Sequence, residues 1–133
     1  MTIIVGYVPR PEGRAALDAA IEQARLLGQP ITVLNTSRGE RHVDPAYASE
    51  DDLTEVKQVL EDSGVTYSVR QTASGRDVSE EVVETAEAEQ ARLIVIGLRR
   101  RSPTGKFLFG STAQRILLDA DCPVLAVKAP TEH

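Results

Sequence analysis

The sequence predicts an α/β fold in which an open sheet of five parallel strands lies between two layers of helices, four in all. Two observations support this prediction. Apolar runs of strand length alternate with segments of helical periodicity along the 133 residues, in the order βαβαβαβαβ. Most of the apolar runs are also continuous, which is typical of strands that are covered on both faces. Helices that connect parallel strands then cover the two faces of the sheet.

The five predicted strands are short segments in which β-branched and other apolar residues predominate. Proline, glycine or polar residues bound them, as is common for buried strands. The predicted strands are residues 2–8, 31–35, 65–71, 92–96 and 123–128.

Four helices are predicted between these strands. Gly28 and Gly64 follow the first two helices, and a glycine is a common residue directly after a helix. The predicted helices are residues 12–27, 50–62, 77–90 and 111–119. The polar segment 36–49 is expected to be a loop. Because no linker or internal repeat divides the chain, residues 1–133 are expected to form one domain.

The composition excludes several classes of protein. The net charge of −5 argues against nucleic-acid binding, which needs a broad basic face. Cys122 is the only cysteine, so no disulfide within the chain is possible. The sequence contains no signal peptide and no apolar stretch of membrane-spanning length, so we expect a cytoplasmic protein that does not interact with membranes.

The most informative segment is 94–112, which contains a strand end, a basic loop and a helix start. The predicted strand ends at Ile96 and Gly97, and a loop with four cations follows. Gly110, Ser111 and Thr112 then begin a helix. The first N–H groups of a helix have no partner within the helix and lie at its positive end, so they suit phosphate. Of the loop cations, Arg99 and Arg100 are the better candidates for phosphate contacts, because they lie nearest the strand end.

Two other strand ends are expected at the same edge of the sheet. Gly6, Tyr7 and Val8 end the first strand, and Thr36 follows the second. In parallel sheets, ligands bind where the carboxyl ends of the strands meet. These residues therefore line a nucleoside pocket, or they serve packing and strand-end capping only; the sequence favours neither interpretation.

The residues quoted above resemble the universal stress protein family, and the resemblance covers nearly the whole chain. Nucleotide-binding members carry Gly, two residues, Gly, nine residues, Gly and then Ser or Thr; Gly97, Gly110 and Ser111 match this pattern. The run 92–97 and the closing segment 121–128 are also similar to the family. The resemblance implies an adenine nucleotide alpha hydrolase-like, Rossmann-like fold.

The resemblance also implies a function. It implies that the chain binds ATP or AMP, with or without Mg²⁺, as a regulatory module in a stress response. It implies a homodimer that pairs through the last strand, Val124 to Val127, and an unknown regulatory protein as a further partner.

Two positions depart from the family pattern. Arg100 lies where the second motif glycine is expected, and Val8 lies where ATP-binding members often have an aspartate. An arginine at this position blocks the site or binds phosphate through its planar guanidinium. The alternative function is therefore a nucleotide-free dimeric interaction module of the same family.

Enzymatic activity is not expected. No general base or water-positioning residue can be identified near the expected phosphates, so catalytic residues are predicted to be absent, although slow ATP hydrolysis stays open. His42 and His133 are isolated, and no spacing of metal-binding side chains fits a protein metal site.

Overall fold

In the computed structural model, the predicted strands and helices follow one another in the predicted order, with one short additional strand. The structure describes residues 1–37, 47–73, 75–100, 107–108 and 110–129, with the main chain alone for Arg100, Phe107 and Leu108. The elements are β1 (Thr2–Gly6), α1 (Pro11–Leu27), β2 (Ile31–Ser37), α2 (Glu50–Ser63), β3 (Tyr67–Ala73), α3 (Val78–Ala88), β4 (Ala91–Arg100), β5 (Phe107–Leu108), α4 (Ser111–Asp119) and β6 (Val124–Lys128). None of the described helices is both long and apolar enough to cross a membrane.

The sheet of the described residues has the predicted parallel core. Its parallel strands lie in the order β3-β2-β1-β4-β6. The strand order reverses at β1, since β2 and β4 lie on its two sides. A crevice between connections that leave in opposite directions is therefore expected at the carboxyl ends of β1 and β4. The fold class predicted from the sequence, five parallel strands with four helices, is confirmed.

Each face of the sheet has its own core. On one face, Leu17 of α1 and Val56 and Leu60 of α2 pack against side chains such as Val5 of β1. On the other face, Val82, Val83 and Ala86 of α3 and Ile116 of α4 pack against alternate strand residues. These strand residues are Ile4, Leu34, Ile94 and Ile96. Both faces are covered, which explains why the strand sequences are continuously apolar.

The end of β4 differs from the prediction. The sequence predicts a loop directly after Gly97, but β4 continues to Arg100. β6 pairs with β4 as far as Leu98, and the short strand β5 then pairs antiparallel with Arg99 and Arg100. Pairing with the distant β6 and with the nearby β5 extends the strand beyond its apolar run. The predicted basic loop therefore begins later than expected, and most of it, residues 101–106, lies outside the described residues.

Candidate nucleotide site at the carboxyl ends of the strands

A cavity of about 350 Å³ lies where the strand order reverses. The ends of β1, β2 and β4 contribute to its lining, together with the first turns of α1, α3 and α4. This volume falls in the range of roughly 300–1,000 Å³ that is common for small-molecule sites.

The cavity brings together nearly all of the site residues predicted from the sequence. Ten of the eleven line it: Gly6, Tyr7, Val8, Thr36, Ile96, Gly97, Arg99, Gly110, Ser111 and Thr112. The side chain of the eleventh, Arg100, lies outside the described part of the chain. The residues thus share one surface, and their contact with a nucleotide stays a prediction.

The β2 end of the cavity is held by hydrogen bonds between strands. Thr36 is buried, and its Oγ1 lies 2.8 Å from Oγ1 of Thr72 on β3. Val8 is half-buried and presents an apolar side chain where the family pattern has a carboxylate. This end of the cavity therefore combines the hydroxyl of Thr36 with the apolar side chains of Leu34 and Val8.

Asn35 lies beside this end but does not line the cavity. Its Nδ2 donates to the carbonyl of Tyr7 at 2.8 Å, and its Oδ1 accepts from the N–H of Ala48 at 2.9 Å. Nε2 of Gln71 also donates to Oδ1, at 2.9 Å, and to the carbonyl of Ala48, at 2.7 Å. Asn35 is fully buried, so this network fixes the end of β1 to β2 and β3.

The middle of the cavity is set by the close approach of α1 to the strand ends. A Cβ added to Gly97 would overlap the carbonyl of Glu12, and a Cβ added to Gly13 would overlap the carbonyl of Val8. Only glycine permits this contact at the two positions. Gly97 is thus required by the packing of α1 against β4, a role that the motif alone does not indicate.

The other end of the cavity is the first turn of α4. Gly110 is the residue before the helix and provides no side-chain cap. The first backbone hydrogen bond of the helix runs from Gln114 N to the Gly110 carbonyl, so the preceding N–H groups have no partner among the described residues. Arg99 is exposed, lines the cavity and has no carboxylate partner in that same part of the chain. N–H groups and a guanidinium that lack partners within the described part of the chain, together with a positive helix end, favour an anion.

The neighbouring helix α3 begins differently. Asp77 caps it by accepting from Ser79 N at 3.4 Å, and Nη1 of Arg115 on α4 lies 3.2 Å from Oδ2 of Asp77. This carboxylate occupies the start of α3. The start of α4 is therefore the better anion site of the two.

The sequence analysis missed several residues of the lining. Arg10 and Glu12 line the cavity from the start of α1, and Val78, Val82 and Ile116 add apolar surface. The periodicity of the sequence assigns these apolar residues to the core, which is also correct. A signal for Glu12 was present, because it is an acidic residue soon after the first strand end, where the ligand edge was expected.

The ring of Tyr7 lies away from the apolar floor of the cavity. Tyr7 belongs to the core cluster packed against α1 and α2, whereas Ile96 and Ile116 belong to the opposite cluster. Burial raises the pKa of Tyr7 above 10.0, the carboxylates of Asp52 and Glu55 raise it further, and Arg14 opposes them. Tyr7 thus packs on the α1 and α2 side of the sheet at the end of β1.

The described residues contain no cluster of three His, Cys, Asp or Glu side chains that would hold a metal ion. Glu12 is the only carboxylate that lines this cavity among them. A Mg²⁺ ion in the cavity would therefore need most of its oxygen ligands from a bound nucleotide and water.

Comparison with known proteins identifies the family. A model of the universal stress protein family matches residues 1–128, and the chain belongs to this family. It is similar to a universal stress protein from Mycolicibacterium smegmatis, with 43% identity over 126 residues that span 95% of this chain and 96% of the relative.

Solved structures of universal stress proteins share the fold. One from Archaeoglobus fulgidus is 28% identical with a TM-score of 0.72, over 96% of this chain and 97% of the other. A second structure from that organism, in complex with dAMP, is 24% identical with a TM-score of 0.68, over 96% of each chain. The fold also matches a universal stress protein in complex with cAMP (18% identity, TM-score 0.72, 98% of each chain). An AMP-bound family member from Arabidopsis thaliana matches as well (15% identity, TM-score 0.63, 98% of this chain and 94% of the other).

Proposed function

We propose that this chain binds an adenine nucleotide, AMP or ATP, in the cavity at the carboxyl ends of β1, β2 and β4. One observation above all supports the proposal. The cavity ends at a helix start without a side-chain cap, beside Arg99, which has no carboxylate partner among the described residues; this is the arrangement that phosphate favours. The structures of relatives in complex with dAMP, cAMP and AMP add support from the family.

In the proposed complex, the phosphate accepts hydrogen bonds from the N–H groups at Ser111 and Thr112 and from the Ser111 hydroxyl. Arg99 pairs with its charge, and Arg100 is the second candidate for this role. The base lies at the β2 end, between the end of β1 and Thr36. The apolar residues Leu34, Val82 and Ile96 then cover the faces of the nucleoside.

We propose a regulatory role rather than a catalytic one, in a stress response and in the cytoplasm. The only lining carboxylate among the described residues, Glu12, lies on α1 and not at the α4 end, where the phosphates are placed. Hydrolysis needs a group that positions water at the terminal phosphate. Bound nucleotide would instead change what the protein associates with.

The experiment is isothermal titration calorimetry of the native protein with AMP, ATP and GTP, each with and without Mg²⁺. Ser111→Ala removes one hydrogen bond to a charged group, which is worth about 1.5–3 kcal/mol, so affinity falls tenfold or more. Gln114→Ala, an exposed change one turn further along α4, is the matched control and leaves affinity unchanged. Equal affinities of native protein and Ser111→Ala would contradict the placement of the phosphate.

The alternative function is the nucleotide-free interaction module. Val8 favours it, because it supplies hydrocarbon where a carboxylate contact to the nucleotide is expected. Arg100→Gly restores the family pattern and separates the possibilities. Affinity falls if Arg100 binds phosphate and rises if it blocks the site. If neither native protein nor Arg100→Gly binds an adenine nucleotide, the interaction module is the correct function.

We also propose a homodimer that forms through β6. Among the described strands, β6 pairs with β4 alone, and Val124 to Val127 are only half-buried. Unpaired backbone groups on an apolar edge strand invite pairing with a second copy. Light scattering at micromolar concentration should give the mass of a dimer, and a folded Val124→Pro, Ala126→Pro variant should give a monomer.

A further inference from the structure

Glu12 is a largely buried residue whose carboxylate accepts no hydrogen bond from the described residues. Its residue is 8% exposed and it lines the cavity. None of the described residues donates a hydrogen bond to its side chain. Its ion-pair partner there is Arg10, with Nη1 3.9 Å from Oε2, which is beyond hydrogen-bond distance. The carboxylate oxygens therefore keep acceptor positions that a ligand in the cavity can use.

The position of Glu12 lies between the two ends of the cavity. Its main chain packs on Gly97 of β4, and the next residue, Gly13, packs on Val8 at the end of β1. Thr36 on β2 lies to one side of this contact, because β2 is the other neighbour of β1. The first turn of α4 lies to the opposite side, since α4 packs on α3 and β6. A ligand that spans the cavity therefore passes Glu12 at its middle.

We propose that Glu12 accepts hydrogen bonds from the ribose hydroxyls and makes the site selective for ribonucleotides over deoxyribonucleotides. This inference rests on the proposed nucleotide function. With the phosphate at α4 and the base at β2, the sugar is the part of the ligand that lies opposite Glu12. A vicinal diol has two adjacent donors, and a carboxylate has two adjacent acceptor oxygens, so the pair satisfies both groups. Acidic residues read ribose hydroxyls in the same way at other switch points of parallel sheets.

Arg10 completes this part of the site. Its side chain is 28% exposed and lies at the mouth of the same cavity. At 3.9 Å it offsets the charge of Glu12 without using the acceptor positions of the carboxylate. The two oxygens are thus left open to hydrogen bonds from a ligand.

The experiment compares ratios of affinities, so that uniform effects cancel. Calorimetry in EDTA measures AMP, 2′-deoxy-AMP, 3′-deoxy-AMP and IMP against native protein, Glu12→Gln and Glu12→Ala. Native protein should bind AMP at least about tenfold more tightly than one of the two deoxy analogues. This preference should fall in Glu12→Gln, whose amide oxygen is a weaker acceptor, and should vanish in Glu12→Ala. Glu22→Gln, the same change on an exposed part of α1, should keep the native ratio.

Each remaining outcome contradicts the inference in a distinguishable way. If native protein binds AMP and both deoxy analogues equally, the sugar assignment is wrong while the nucleotide function stands. If the variants change the ratio of AMP to IMP and leave the deoxy ratios unchanged, Glu12 contacts the base amino group instead. If no adenine nucleotide binds to the native protein, the proposed function fails and the role of Glu12 fails with it.

Discussion

Two glycines line the cavity in different ways: Gly97 lies on β4, which forms one wall, and Gly110 lies at the α4 end. At the wall, a Cβ on Gly97 would overlap the carbonyl of Glu12, so the packing of α1 requires glycine there. At the α4 end, a Cβ on Gly110 would meet no described atom within 4 Å, and its φ of −66° is open to any residue. The two glycines belong to one sequence motif, yet only the first is explained by packing. A motif match therefore does not by itself assign a ligand-binding role to each of its residues.

The largest effect is expected at the packed wall. Gly97→Ala forces α1 and β4 apart, and overpacking of this kind should lower the free energy of unfolding by about 3 kcal/mol. Urea denaturation measures the loss. Gly110→Ala is the matched control, and it should stay within about 1 kcal/mol of native protein because no described side chain occupies the space. Similar losses in both variants would end the distinction between the two glycines.

The β2 end of the cavity depends on the network of Asn35. Asn35→Ala leaves the N–H of Ala48 and the amide of Gln71 with fewer partners in a buried place. We expect the free energy of unfolding to fall by about 2–3 kcal/mol. Thr72→Val, which removes the hydrogen bond to Thr36, is the milder control because Thr72 is only half-buried. A loss for Asn35→Ala no larger than that of Thr72→Val would show that the network contributes little.

At the α4 end, the expected effect is on affinity and not on stability. Gly110→Val places a branched side chain where the proposed phosphate approaches the backbone, so affinity for AMP should fall about tenfold, or 1.4 kcal/mol. The free energy of unfolding without nucleotide should change by less than about 1 kcal/mol, mainly through the weaker helix cap. A variant that binds AMP as well as native protein would show that this glycine faces no ligand.

The same contrast explains how much of the site the sequence predicts. Gly6, Val8, Thr36 and Gly97 are predictable because the carboxyl ends of parallel strands meet at one edge whatever the side chains are. This rule does not place Arg10 or Glu12 in the lining. Glu12 is an acidic residue near the first strand end, but whether it reaches the cavity depends on how closely α1 approaches β4. That approach is set by Gly13 and Gly97 in three dimensions and leaves no periodic signal in the sequence.

The fold shows a similar limit. Hydrophobic periodicity predicts the four helices and the five parallel strands, because each covers a whole apolar face. It does not predict β5, because two residues are too few to show a hydrophobic periodicity, and it does not predict the extension of β4 to Arg100. Both depend on strand pairing, with the distant β6 as far as Leu98 and with the nearby β5 at Arg99 and Arg100. This pairing overrides the local preference for a loop after Gly97.

The smallest effect concerns Tyr7, which packs on the face of the sheet that α1 and α2 cover. Burial and the carboxylates of Asp52 and Glu55 raise its pKa above 10.0, so the folded protein holds this proton more tightly than the unfolded chain. The resulting stabilisation is complete below pH 10 and is lost as the pH rises through the raised pKa. The stability difference between native protein and Tyr7→Phe should therefore shrink from pH 8 to pH 10.5 in urea denaturation. The pKa of Tyr67 is also raised, but Tyr67 is present in both proteins and cancels from the difference. A stability difference that is constant across this range would mean that Tyr7 titrates normally and that solvent reaches its hydroxyl.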